Sequence, residues 1–299
     1  MRFKTEIAKR VSELELAARK LEIKNIIWKL IFRGKGLEFE GYRKFMPDDD
    51  ANWIDWRASK KTDDLLVKVF KEERDLKIYF LVDVSSGMIF GSSEKLKSEY
   101  AAELVCALSH LVITSGDNAG IVLYTDRIVK IIQPGKGLRQ FFAIQSEILN
   151  EENYGGKSDL GKVLSELGGI FDSSINSVFI VSDFLKVKNE DETQLKTFGK
   201  RFETIAVIVR DMRDMYLPDN IREVTIRDPD SGKEMIIDPK LIRERYEDYT
   251  TKQSIALKQL FIKSQLDNLE LMTDKPFVLP LISFLKSRIE RRKYVIPGR

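Results

Sequence analysis

Cysteine and histidine are nearly missing: the 299 residues hold one of each, Cys106 and His110. A lone cysteine excludes an internal disulfide and fits a reducing compartment. Cys106 also lies between Val105 and Ala107, where packing is the simpler role than nucleophile. A lone histidine, set mid-helix beside Leu111 with no G-x-S-x-G motif to serve, argues against Ser-His-Asp hydrolysis. Backbone breakers are scarce, with 17 Gly and 8 Pro against 43% hydrophobic residues. That is the composition of a globular chain rather than a disordered one. No excess of one charge exists either: 50 Lys and Arg face 47 Asp and Glu, a formal +3. This balance gives no basis for nucleic-acid or membrane-surface binding. No apolar stretch approaches the roughly 20 residues that cross a bilayer. Residues 1–10 are broken by Arg2, Lys4, Glu6, Lys9 and Arg10, which leaves no signal-peptide core. The expectation is a cytoplasmic protein without membrane insertion, long enough for one large domain or two small ones.

What is present is organised around residues 77–91. The apolar run Ile78, Tyr79, Phe80, Leu81, Val82 stops on Asp83, Val84, Ser85, Ser86, Gly87. A short β-rich run ended by a carboxylate, hydroxyls and a glycine predicts a buried central strand that delivers polar groups to its carboxyl end. Ser92, Ser93 and Glu94 are placed to open a helix through Ala101, Leu104, Val105, Leu108, Leu111 and Val112, and Gly116 to close it. With a second strand over 119–124 this makes one βαβ unit of an open parallel sheet. In such sheets ligands sit beyond the carboxyl ends of the strands, where the strand order reverses.

The same alternation continues. An antiparallel edge is expected over 128–132, a helix near 138–149, and a helix with Leu160, Val163, Leu164 and Leu167 at helical spacing ending at Gly168 and Gly169. A strand follows over 177–181 and stops at Ser182 and Asp183, repeating the arrangement at Asp83. Further on come a helix over 192–201, a strand over 203–209, a hairpin from 221–227 and 234–237, a helix over 239–267, a strand over 270–272 and a helix over 277–289. Ahead of all this, residues 1–31 read as a helical arm, with a thick apolar patch at Ile26, Ile27, Trp28, Leu30 and Ile31. Residues 32–76 read as a β segment with strands near Leu37–Tyr42 and 65–70 and a turn at Pro47, Asp48, Asp49 and Asp50. Residues 77–293 form the α/β domain. Trp53, Ile54 and Trp56 are expected to anchor the β segment, since two Trp within four residues offer much apolar area.

Three polar loops converge on one sheet edge in this arrangement: Asp83 with Ser85, Ser158 with Asp159, and Asp183. Hard oxygen donors of this kind suit a Mg²⁺ that keeps several waters. Taken singly each has a plainer role, since Ser158 or Asp159 can cap a helix and Asp183 can simply end a strand. Gly156, Lys157 and Ser158 mimic the end of a P-loop, but Glu151 stands where its first glycine belongs. Asp48, Asp49, Asp50 and Asp55 read more simply as a solvated turn than as a cation site. The tail residues Lys286, Arg288, Arg291, Arg292 and Lys293 suit a helix end complementing its dipole as well as an acidic partner.

Asp83-x-Ser85 at a strand end, a Ser in a Gly-Gly-x-Ser loop and an Asp after an apolar strand resemble the von Willebrand factor A fold and its metal-ion-dependent adhesion site. That motif reads Asp-x-Ser-x-Ser, and Gly87 stands at its third member. The resemblance implies a metal site of Asp83, Ser85, Ser158 and Asp183 in which a Mg²⁺ is held weakly, because Gly87 supplies no hydroxyl, and in which the ion bridges to an acidic group of a partner. A broader likeness runs through Arg33 to Phe39, Arg43 to Asp50, Ile54-Asp55-Trp56-Arg57, Glu72-Glu73-Arg74, Asp83 to Gly91, Gly116-Asp117, Leu217-Pro218, Asp228-Pro229 and Thr273-Asp274-Lys275-Pro276. These blocks resemble the domain-of-unknown-function 58 family, although Asp48 follows Pro47 where that family usually has a glycine. The family resemblance implies a non-enzymatic interaction module working with a MoxR-type AAA+ ATPase on the assembly or maturation of other proteins. The alternative from a different class is a divalent-metal phosphoester hydrolase using Asp83 and Asp183.

Overall fold

The computed structural model describes residues 3–20, 37–46, 54–62, 64–72, 76–219, 221–228 and 231–293. Helix α1 (Ile7–Lys20) buries Ile7, Leu14 and Ala18, which fall on one helical face. Strands β1 (Leu37–Lys44) and β2 (Leu66–Glu72) pair antiparallel, with a bulge between Phe39 and Gly41. Between them lies the short helix α2 (Trp56–Thr62). Asp55 caps it by accepting the Arg57 and Ala58 amides at 3.0 and 3.1 Å, so this carboxylate has a structural task. The Ser59 hydroxyl accepts the Leu66 amide at 2.9 Å and ties α2 to β2.

The expected Trp anchor is not found here. Trp56 is 63% exposed, because the inward face of this two-turn helix is taken by Ser59 rather than by its first residue. Ile54 is half-buried and bridges to Val67. Trp53, the apolar patch at 26–31 and the acidic turn at 48–50 lie outside the described residues.

The main body follows in chain order as β3 (Lys77–Asp83), α3 (Lys97–Thr114), β4 (Asn118–Tyr124), β5 (Ile128–Gly135), α4 (Gly137–Ile148), α5 (Leu160–Ile170), β6 (Ser177–Ser182), α6 (Glu192–Arg201), β7 (Glu203–Arg210), the hairpin β8 (Val224–Arg227) and β9 (Glu234–Ile237), α7 (Pro239–Lys263), β10 (Asp267–Met272) and α8 (Val278–Lys293). Six strands form one sheet in the order β10-β7-β6-β3-β4-β5, parallel except for β5 at the edge. Side chains alternate faces along a strand. On β3, Ile78, Phe80 and Val82 enter one core with α1, α3, α4 and α8, while Tyr79 and Leu81 enter a second core with α5, α6 and α7. A strand buried on both faces must be apolar at every position, hence the unbroken run. Burying each of those side chains is worth about 1.5–3 kcal/mol. This is the expected α/β architecture, with helices on both faces of an open, mostly parallel sheet.

One detail differs from the sequence reading. Helix α3 starts at Lys97, not near Ser92; Glu99 accepts the Leu96 amide at 2.9 Å and fixes the start. Helix α3 packs between α1, α4 and the sheet, and of residues 97–113 only His110 is not buried. Gly116 does close it, with φ +92° in the left-handed region where glycine carries no Cβ penalty. Helix α1 is pinned onto α3 by carboxylates. Glu99 accepts the Lys4 amide and Glu103 the Glu6 amide, each at 2.6 Å, and Glu103 also pairs with Lys95 at 2.7 Å and Arg10 at 3.4 Å. Of the basic tail, Arg288 turns inward to Glu203 and Asp267, which holds α8 to the sheet rather than offering it to a ligand. None of the helices among the described residues is long and apolar enough to cross a membrane.

Candidate functional site

The chain leaves β3 toward β4 on one side, reaches the β5 edge, and returns through α4 and α5 to place β6 on the other side of β3. The crossovers therefore diverge at the carboxyl ends of β3 and β6, which opens the crevice where such sheets bind ligands. Asp83 ends β3 and Asp183 follows β6. The loop before α5 is stitched across them: the Gly155 amide donates to the Val84 carbonyl at 2.8 Å and the Ser86 amide to the Gly156 carbonyl at 2.9 Å. Gly155 and Gly156 have φ of +133° and +82°, a path that L side chains adopt only with strain. That turn delivers Ser158 to the site, while Asp159 caps α5 by accepting the Lys162 amide at 3.0 Å.

The sequence-predicted residues do come together. Asp83 Oδ1 accepts the Ser85 amide at 2.9 Å, and Oδ2 accepts the hydroxyls of Ser158 at 2.9 Å and Ser182 at 2.8 Å. Asp83 is only 1% exposed and Asp183 5%, although both stand at strand ends. The loops fold over the carboxylates. Burial first, and then the Asp183 charge, push the Asp83 carboxyl above its ordinary range against the hydrogen bonds that favour its charge. Tyr124, wholly buried at the end of β4, has its phenol pushed well up by burial and by the Asp83 charge. Phe184, next after Asp183, holds a left-handed φ of 53°. Its ring packs edge-on against Phe261 at 5.1 Å, and that burial holds a conformation costing about 1–3 kcal/mol.

Three residues of the site were not singled out from sequence: Ser182, Lys97 and Asp214. The Lys97 ammonium is 2.6 Å from Asp183 Oδ2 and 3.2 Å from Asp214 Oδ2, and its side chain is 2% exposed. Burial works to lower its pKa, but the two carboxylates outweigh that and hold it above the ordinary value, so Lys97 is charged. Burial, aided by the Asp183 charge, lifts Asp214 despite the attraction of Lys97. Lys97 and Asp214 thus pull in opposite senses, and the 2.6 Å contact with Asp183 decides for a charged ammonium. Asp214 is aimed by accepting the Asp211 amide at 2.8 Å. Asp211 itself accepts the amide and hydroxyl of Ser92 at 2.8 and 2.6 Å, clamping the loop after β3 to the loop after β7. The sequence held one signal for Lys97. A lysine in the first turn of a helix opposes the macrodipole, and its presence there calls for a counter-charge.

The donor set fits a divalent ion poorly. Asp183 is engaged by an ammonium, both oxygens of Asp83 already accept protein donors, and Gly87 brings no hydroxyl. Among the described residues no group of three or more His, Cys, Asp or Glu is arranged to hold a metal. The lone cysteine and histidine lie away from the site: Cys106 is buried with its thiol pushed far up, first by burial, and His110 lies 3.4 Å from Glu15 under α1. The loops around the site also leave apolar side chains exposed. Ile89 and Phe90 are 37% and 42% exposed on the loop after β3, and Met212 and Tyr216 lie exposed on the loop after β7. The Phe90 ring lies over the Lys97 ammonium, 5.6 Å from nitrogen to centroid.

Comparison with known proteins gives relatives at low identity. An uncharacterized protein of Mycobacterium tuberculosis is 25% identical over 259 residues, covering 85% of this chain and 80% of that protein. Among solved structures, the BatB protein of Bacteroides thetaiotaomicron aligns with 72% of this chain and 99% of its own, at 10% identity and a TM-score of 0.47. The SpRpn10 VWA domain aligns with 69% of this chain and 92% of its own, at 10% identity and a TM-score of 0.41. The blocks that resembled a family in the sequence fall within a match of 216 residues or just outside it: the model of the family described as "Protein of unknown function DUF58" covers residues 41–256, and the chain belongs to that family.

Proposed function

We propose that this protein is a non-enzymatic interaction module whose docking face is the carboxyl edge of the sheet, with Asp83, Ser85, Ser158 and Asp183 beneath it. The observation that carries this reading is the contrast between a closed polar interior and the large apolar side chains left exposed on the loops beside it. Asp83, Asp183 and Lys97 spend their hydrogen-bonding capacity on one another and on nearby serines, while Ile89, Phe90, Met212 and Tyr216 face outward. Half-exposed aromatics around a rigid polar floor suit recognition of a protein surface. Reaction chemistry needs a reachable base or nucleophile, and that interior offers neither.

The partner we propose, on the family resemblance, is a MoxR-type AAA+ ATPase, with the pair acting on the assembly or maturation of a client protein in the cytoplasm. Crosslinking and affinity purification from the native cell, with and without ATP, test it. Recovery of the ATPase with wild-type protein, reduced by substitutions at Phe90 and Met212, supports the module. Metal-dependent turnover of a generic phosphoester, lost in Asp83→Ala, would establish the hydrolase alternative instead.

A further inference from the structure

We propose that the Lys97 ammonium is the resident cation of this site, doing for the strand-end carboxylates what a bound divalent ion would otherwise do. Everything general opposes a lysine there. It is buried, and burial penalises its charge. It sits at the first position of α3, where the helix dipole repels cations. A buried lysine persists only when its charge is matched, and here it is matched by two carboxylates brought from chain positions 86 and 117 residues away. The Phe90 ring covers it. One end of the arrangement is therefore a tethered positive charge that cannot dissociate, and Asp183 is withdrawn from the donors a free ion would need.

The vacancy at Gly87 fits the same picture. A Cβ built there would stand 3.5 Å from Asp183 Oδ2 and 3.8 Å from Ser85 Oγ, ordinary contact distances. A Cβ is therefore accommodated at this position, and its bulk does not explain the glycine. With the ammonium in place, a hydroxyl at this position has no ion to bind. This holds whether or not a protein docks on the rim, so the failure of either idea leaves the other standing.

The test uses Mn²⁺ alone, followed by electron paramagnetic resonance and by thermal unfolding, on the wild type, Gly87→Ser, Lys97→Met, and Lys97→Met combined with Asp183→Asn. The expected result is no saturable Mn²⁺ binding in the wild type or in Gly87→Ser. Lys97→Met gains at least about tenfold in Mn²⁺ affinity, melts lower than the wild type, and recovers its melting temperature on adding Mn²⁺. The Asp183→Asn combination loses that gain. Saturable binding by the wild type, or tightening by Gly87→Ser alone, overturns the proposal, and so does a folded Lys97→Met that binds no better. A Lys97→Met that folds only with Mn²⁺ supports it. Should that variant fold under neither condition, the wild type and Gly87→Ser decide the matter between them.

Discussion

Asp83 concentrates the physical tension of the molecule in one side chain. Its carboxyl is raised mainly by burial, with the Asp183 charge adding to it. Folding thus strengthens proton binding, so the unfolded chain ionises first as pH rises, and the folded state loses stability across the interval up to the folded value. Asp83→Asn removes that ionisation. The variant is expected to be more stable than the wild type near neutral pH, with the difference shrinking in acid, as urea unfolding across pH would read. Asp83→Ala instead strips the acceptor from Ser158, Ser182 and the Ser85 amide. It should be less stable than Asp83→Asn by about 1–3 kcal/mol. Trp56 makes the opposite prediction. At 63% exposure, Trp56→Ala should change unfolding by under about 0.5 kcal/mol; a loss of several kcal/mol would mean the ring is buried in solution.

At the scale of elements, the strands and their carboxyl ends were legible in the sequence, because burial on both faces writes an unbroken apolar run and the first polar residue after it marks the site. Asp83 follows from that rule, with Ser85 and Asp183 one or two residues past the ends of their apolar runs, whereas Ser158 was read from a glycine-flanked loop before a helix. Lys97 and Asp214 do not, since the contacts that define them are tertiary and span 86 and 117 residues. Trp56 was misread for a related reason. Its apolar area was visible, but which face of α2 meets β2 depends on Asp55 capping and on Ser59, neither of which leaves a periodic trace. Helix α1 offers an element-level test. Glu103 is buried and holds the Glu6 amide, Lys95 and Arg10. Glu103→Ala should therefore cost about 3–5 kcal/mol and speed hydrogen exchange throughout residues 7–20, whereas unchanged protection there would mean that apolar contacts alone hold α1.

At the scale of the whole molecule, a sheet buried on both sides carries the Asp83, Asp183 and Lys97 cluster at its carboxyl edge, beside the exposed Ile89, Phe90, Met212 and Tyr216. Two loops distant in sequence, after β3 and after β7, are locked together by Ser92 and Asp211, so Phe90 and Met212 present one preformed surface. Preformed surfaces bind with little ordering cost, and half-exposed rim residues can be cut back with little effect on the fold. The most direct measurement is the affinity of the proposed partner, a MoxR-type ATPase, for the wild type and for a Phe90→Ala, Met212→Ala double variant, at constant Mg²⁺ and ATP. Docking on this edge predicts an affinity loss of at least about tenfold, roughly 1.4 kcal/mol, with unfolding little changed. Equal affinity for a folded double variant would contradict it.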